Sequence, residues 1–214
     1  MYSSLRVVQP PTVEPLSLAD ARKHLRVDYT DDDDLIAQLI TTARMLVEQH
    51  LGRVLITQTL LWTMSQDPPS GALPLLPMPL LVLPVILSAP QVMNGPLELP
   101  RCPVQSVTSV AQAATDGTVT TLVAGTDYIP DLALDPARIR LQWANVPRYM
   151  QHLQVTFVAG YGADGTAVPA PLIAAIKLWL AFLYEQRGDT ANTAGDPPRA
   201  IEWLLAPYKV QFFA

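Results

Sequence analysis

Four consecutive carboxylates, Asp31, Asp32, Asp33 and Asp34, form the densest group of chemically capable side chains in this sequence. A calcium loop needs oxygen ligands at alternate positions and a glycine at its sharp turn, and this run has neither. Successive residues of a helix also point in different directions. The run suits a helix start, where the positive end of the helix dipole favours negative charge. His24, His50 and His152 are scattered, with no metal-ligand spacing among them. Cys102 lies between Arg101 and Pro103, without a paired histidine in view, so a nucleophilic thiol is not indicated. As the single cysteine, it excludes an internal disulfide and a cysteine-rich metal site, which fits a reducing compartment. The glycine-rich stretch AGYGADG, residues 159–165, sits at a strand-to-helix junction. A phosphate cradle there would need converging backbone N–H groups and a nearby lysine. Pro169 and Pro171 remove two donors, and Lys177 is too far into the helix. The stretch reads as a tight exit from a strand, with glycine supplying positive φ. No catalytic, cofactor or metal site is expected, and the chain does not read as an enzyme.

The elements around these residues are more informative. Leu16–Arg53 predicts a helical hairpin. Ser17 caps a short helix with Leu18, Ala21, Arg22 and Leu25 as its spine, and Asp28–Thr30 form the turn. Asp31 is the expected cap of the long second helix. Leu35, Ile36, Leu39, Ile40, Ala43, Leu46, Val47, His50 and Leu51 fall within an arc of roughly 160°. Gln38, Thr41, Thr42, Glu48 and Gln49 fall opposite, and Gly52 ends the helix as a left-handed residue.

After Arg53 the period becomes strand-like. Strands are predicted over Val54–Ser65, Val104–Val110, Thr118–Val123, Ala137–Trp143 and His152–Val158, with a hairpin turn at Thr115-Asp116-Gly117. Ala72–Pro90 is apolar enough to suggest a membrane span, but five prolines would each cost a helix about 3 kcal/mol, so an extended segment is expected. Helix resumes over Leu172–Arg187 with Leu172, Ile176, Trp179, Leu180 and Leu183 as its spine. Leu178 and Phe182 lie on the other side, so this helix is either central in the core or shared with a neighbouring subunit. A polar segment, Asp189–Pro198, precedes a last short helix holding Ile201, Trp203, Leu204 and Leu205, ended by Pro207. Tyr208, Val210 and Phe212 then alternate as a strand would, with Phe213 beside them. Such a tail either docks into another chain by strand addition or covers its own sheet edge.

The expected fold class is α+β. A helical bundle (residues 16–53 and 169–206) holds an inserted small antiparallel β-domain (54–160) and a C-terminal docking tail (207–214). The 214 residues are half apolar and only 15% charged, so a sizeable core is assured and some apolar surface is expected to meet other chains. A net charge of −5 argues against gripping nucleic-acid backbone through a basic patch. The opening residues, MYSSLRVVQPPTVEP, lack the cationic start and apolar core of a signal peptide.

In order along the chain, LSLADARKHL from Leu16, the aspartate run with Leu35-Ile36, Ala43-Arg44, Val47-Glu48, Gly52-Arg53 and Gln58-Thr59 form one set of matching pieces. LPRCPVQSV from Leu99, Asp116-Gly117, Tyr128, PARI from Pro136, FVAGYG from Phe157, Val168-Pro169, Ile173, Ala175-Ile176 and Tyr184 to Arg187 complete it. With these pieces the sequence resembles the head–tail connector (adaptor) proteins of long-tailed bacteriophages and related gene-transfer particles. The apolar insert Gly71–Pro96 departs from the family pattern. The resemblance implies a structural virion protein made in the host cytoplasm and placed in the neck. It implies a homo-oligomeric ring, normally of twelve subunits, beneath the portal protein and above the next tail or stopper protein. DNA would pass through the lumen without sequence-specific binding, and the C-terminal segment would reach into the portal. The residues add expectations to this picture: Leu178, Trp179 and Phe182 at the subunit interface, Tyr208, Val210, Phe212 and Phe213 in the docking tail, and Asp31–Asp34 as an acidic rim. A competing reading is a carbohydrate- or host-binding module of a virion surface, built on the β-domain with Trp62, Trp143 or the Pro-rich insert.

Overall fold

The computed structural model describes residues 2–65, 95–114, 117–142, 150–186 and 199–210. Most of the apolar insert, Trp143, the polar segment 189–198, and Phe212 and Phe213 lie outside these. The fold is α+β, with antiparallel sheets and four α-helices among the described residues.

Helix α1 (Leu18–Leu25) begins at Ser17, whose hydroxyl accepts from the Asp20 amide at 3.1 Å. Helix α2 (Asp33–Leu51) runs to Gly52, left-handed at φ 70°. The cap residue is Asp32, one later than expected, and its carboxylate makes no capping bond. It accepts instead from the hydroxyls of Tyr184 (2.6 Å) and Tyr29 (3.2 Å). A tertiary contact has taken the group that a local cap would have used. Helix α3 (Ala170–Glu185) follows Pro169, and α4 (Arg199–Leu205) passes into a short 3-10 turn, Ala206–Tyr208. The apolar arc of α2 packs on α3: Ile36, Ile40, Ala43, Val47 and Leu51 share one core with Leu172, Ala175, Ile176, Trp179 and Leu180.

A five-stranded antiparallel sheet has the order β1 (Tyr2–Gln9), β2 (Gln58–Ser65), β8 (Met150–Ala159), β4 (Val104–Ala114), β5 (Val119–Leu122). A three-stranded sheet has the order β3 (Leu97–Glu98), β7 (Arg138–Leu141), β6 (Tyr128–Asp131). Alternation along β2 sends Leu60, Trp62 and Met64 inward, where they meet Val155 and Phe157 of β8 and Ile139 and Leu141 of β7 in a second core.

Strand β2 starts four residues later than its composition suggests. Val54, Leu55 and Ile56 are buried, but they serve as the seam between the two cores: Val54 packs with the sheets, Leu55 and Ile56 with the helices. Their backbone bonds go to loops and to the Glu48 side chain rather than to a ladder. The Val54 amide donates to the Cys102 carbonyl at 2.8 Å, and the Thr57 amide to the Gly162 carbonyl at 2.9 Å. Strands β1, β3 and β6 were not expected at all.

Candidate functional site

No candidate metal site is present among the described residues, and none of their helices is long and apolar enough to cross a membrane. A hollow of about 340 Å³ beside β6 and β7 is lined by Ile129, Asp131, Leu132, Arg138 and Arg140, with no nucleophile and base facing each other in it. Cys102 is fully buried. Burial, with the Asp135 carboxyl beside it, pushes its thiol up to about 12, the opposite of an activated nucleophile.

The polar groups that do converge lie along the seam. Glu48 is buried, not on the solvent arc where its helical angle alone would put it. Its carboxylate accepts from the Arg44 guanidinium at 2.9 Å and from the Leu55 amide at 2.8 Å. Arg44, also buried, reaches back to Glu14 with Nε at 2.7 Å and Nη2 at 3.3 Å. Arg101 donates to the Glu48 carbonyl at 2.9 Å. One knot thus fastens the N-terminal arm, α2 and the entry to β2. Burial raises the Glu48 carboxyl above the usual carboxylate range, against the lowering pull of the Leu55 amide and Arg44. Burial works to lower the Arg44 pKa, but the two carboxylates outweigh it and the net shift is upward.

One turn further on, Arg53 pairs with Asp135 at 2.6 Å, and its Nε donates to the Tyr208 carbonyl. The Val210 amide donates to the Leu51 carbonyl at 3.0 Å. The start of the C-terminal tail is therefore fixed on the end of α2. Tyr208 sits in the 3-10 turn and packs on the helical core, so the strand-like alternation read for 208–212 does not begin there.

The aspartate run divides. Asp32 is held by the two tyrosines, and Asp33 pairs with Arg22 at 3.5 Å. Asp31 and Asp34 are exposed. In α3, Trp179 belongs to the chain's own core, Phe182 is half-buried against it, and Leu178 is exposed. Trp62 is buried between the sheets. The most conspicuous apolar side chain is Trp203 on α4, 79% exposed while Ile201 and Leu205 point into the core. A seven-residue helix with four large apolar positions gives too little periodicity to separate inward from outward, so the sequence alone did not single it out.

Residues 15–117 match the family model of the phage gp6-like head–tail connector proteins. The match runs from the start of the helical hairpin to Gly117, just before β5. The chain is also similar in fold to solved structures of gene transfer agent particles. A chain in the neck of the empty particle, computed with C6 symmetry, is 23% identical with a TM-score of 0.71, over 99% of this chain and 97% of that one. One in the neck of the native particle, computed with C12 symmetry, is 22% identical with a TM-score of 0.69 over the same shares. One in the virion of the native particle is 22% identical with a TM-score of 0.71, over 98% and 97%. No curated protein matches the chain. The resemblance to head–tail connectors that the sequence carries is shown by the family model over those residues.

Proposed function

We propose that this chain is a structural subunit of a virion neck, a head–tail connector that forms a ring beneath the portal and continues the DNA channel toward the tail. The family match over residues 15–117 carries the reading, and the fold shared with neck proteins over nearly the whole chain supports it. The surface agrees with a part that works by contact. Its seam is closed by polar groups that bond one another, Arg44 and Glu48 buried among them, and its conspicuous apolar side chains are outside. Leu178 and Trp203 lie on the two helices of the C-terminal pair and would face other subunits; Trp179 and Phe182 hold the helix that presents Leu178. Asp31 and Asp34 suit a lumen or rim along which DNA slides, because a wall that bound phosphates tightly would stall it. A glycan-binding module that relied on Trp62 finds no support, since that ring is inside the core.

The direct test is negative-stain microscopy of the protein mixed with its portal. Rings stacked on the portal are expected, and a persistently monomeric, unbound protein would overturn the reading. Because Tyr208 and Val210 are anchored on the body, a chain cut after Val210 should fold normally yet lose portal binding; unchanged binding would remove the docking role from the tail. Trp203→Ala should leave folding stability within about 0.5 kcal/mol, as exposed positions do. It should weaken assembly at least about tenfold if Trp203 is an interface anchor. Denaturant melts and sedimentation of the ring read the two effects separately.

A further inference from the structure

The five-stranded sheet ends in two open edges. Among the described residues, neither β1 nor β5 has a strand on its outer side. Open edges in soluble proteins are usually blunted by proline, charge or brevity, because unpaired N–H and C=O groups invite another chain. The smaller sheet follows that rule: its edge strand β6 carries Pro130 and Asp131, and its other edge, β3, is two residues long. The larger sheet is less guarded, for β5 is as short as β6 but carries neither proline nor charge. Over eight residues β1 has one charge, Arg6, and no proline, and β5 reads Val-Thr-Thr-Leu.

These edges also carry exposed apolar side chains. Val7 and Val8 are 52% and 58% exposed, Val119 is 61% exposed, and Val123, in the turn just after β5, is 60% exposed. Among the side chains described for β1 only Leu5 packs against the core, so the strand is held chiefly by its ladder to β2. A strand that adds so little to its own core, with valines facing water, is shaped for a surface beyond its own chain.

We infer that β5 of one copy pairs with β1 of the next, joining the five-stranded sheets of neighbouring subunits. The partner is a second copy because the two unguarded edges belong to opposite ends of one sheet. Such a contact is heterologous, joining unlike patches, and repeats around a closed ring. The strand count fixes its polarity. With every pairing antiparallel, β1, β8 and β5 run one way and β2 and β4 the other. Copies related by rotation about an axis along the strands would therefore meet through a parallel pair, a ladder with evenly spaced, slanted hydrogen bonds. This rests on the ring reading above but goes beyond it, since a ring could also close through the helices alone.

Cys102 is fully buried, so the full-length parent protein offers no exposed thiol background. Val7→Cys and Val119→Cys would be made singly and together, and assembled rings treated with a short bismaleimide. The double variant should give a ladder of cross-linked species running well beyond dimer on a denaturing gel, while each single variant and the parent stay monomeric. Val7–Val7 or Val119–Val119 dimers from the single variants would mean a two-fold contact and overturn the proposal. Rings that form normally with no cross-link in the double variant would mean that another segment or protein covers the edges, and would overturn it while leaving the ring intact. Failure to form rings with the untreated parent would instead count against the neck reading itself.

Discussion

Replacing Arg44 with methionine is expected to cost about 3–5 kcal/mol of folding stability, the usual result of stranding a buried charge. Methionine keeps much of the aliphatic volume but leaves the Glu48 carboxylate inside the seam without its guanidinium, and frees Glu14 from the arm-to-helix tie. On a domain stability of roughly 5–15 kcal/mol that loss is large. It should also depend on pH in a defined direction. Burial already holds the Glu48 pKa above its ordinary value, and removing Arg44 takes away one of the effects that lower it. A carboxyl with a raised folded-state pKa adds stability below its unfolded value, and loses it as pH rises through the folded one. The deficit should therefore be smaller at about pH 5 than at about pH 8. Glu48→Gln should be milder, about 1–3 kcal/mol, because the amide oxygen still accepts from Leu55 and the buried Arg44 guanidinium, though it loses one carboxylate, keeps its bonds to Glu14. Urea melts of both variants at the two pH values check the ranking. Equal losses, or a deficit that shrinks with rising pH, would show that the ion pair is not what holds the seam.

Gly160→Ala is expected to cost roughly 3 kcal/mol, combining left-handed strain of about 1–2 kcal/mol with overpacking of about 1–3 kcal/mol. Gly160 has φ 136°, and a β-carbon there would stand 2.5 Å from the Thr57 nitrogen and 2.7 Å from the Ile56 carbonyl carbon. Those are backbone atoms of the seam, so no side chain can swing aside to make room. The exit of β8 would have to separate from residues 56–57, disturbing the Tyr161–Leu55 and Thr57–Gly162 bonds that join helices to sheets. Gly125→Ala is the natural comparison, since its φ is 85° but nothing lies within 4 Å of the added atom. It should show the strain alone. Denaturation midpoints that put the two variants level would mean the seam yields more easily than its geometry implies.

These two positions also mark where the sequence was legible. The hairpin could be read because Ser17, Gly52 and the spacing from Ile36 to Leu51 are local signals that tertiary structure left in force. Gly160 could be read because only a strand exit with positive φ explains glycine in that place. Arg44 and Glu48 could not, because periodicity sorts residues by polarity and sends charges outward, whereas here two charges neutralise each other inside. Strand β1 escaped because its described side chains are nearly all exposed and so carry no inward–outward alternation. In β6 the run is four residues and includes a proline, too short for a period of two to show. The candidate contact surface was half legible. The apolar face of α3 was evident, but Trp179 faces inward, and the exposure of Trp203 follows only from how α4 packs.

The bonds that root the tail have an evolutionary corollary. Arg53 holds Tyr208 by its carbonyl, and Leu51 holds Val210 by its amide, so at the tail's end both contacts are made by the main chain. The two hydrogen bonds survive any residue at 208 and any but proline at 210, while the Tyr208 side chain adds packing on the helical core. Beyond Tyr208 the tail can thus drift in side-chain character to follow a changing partner, while the body keeps Arg53 and the core surface on which Tyr208 rests.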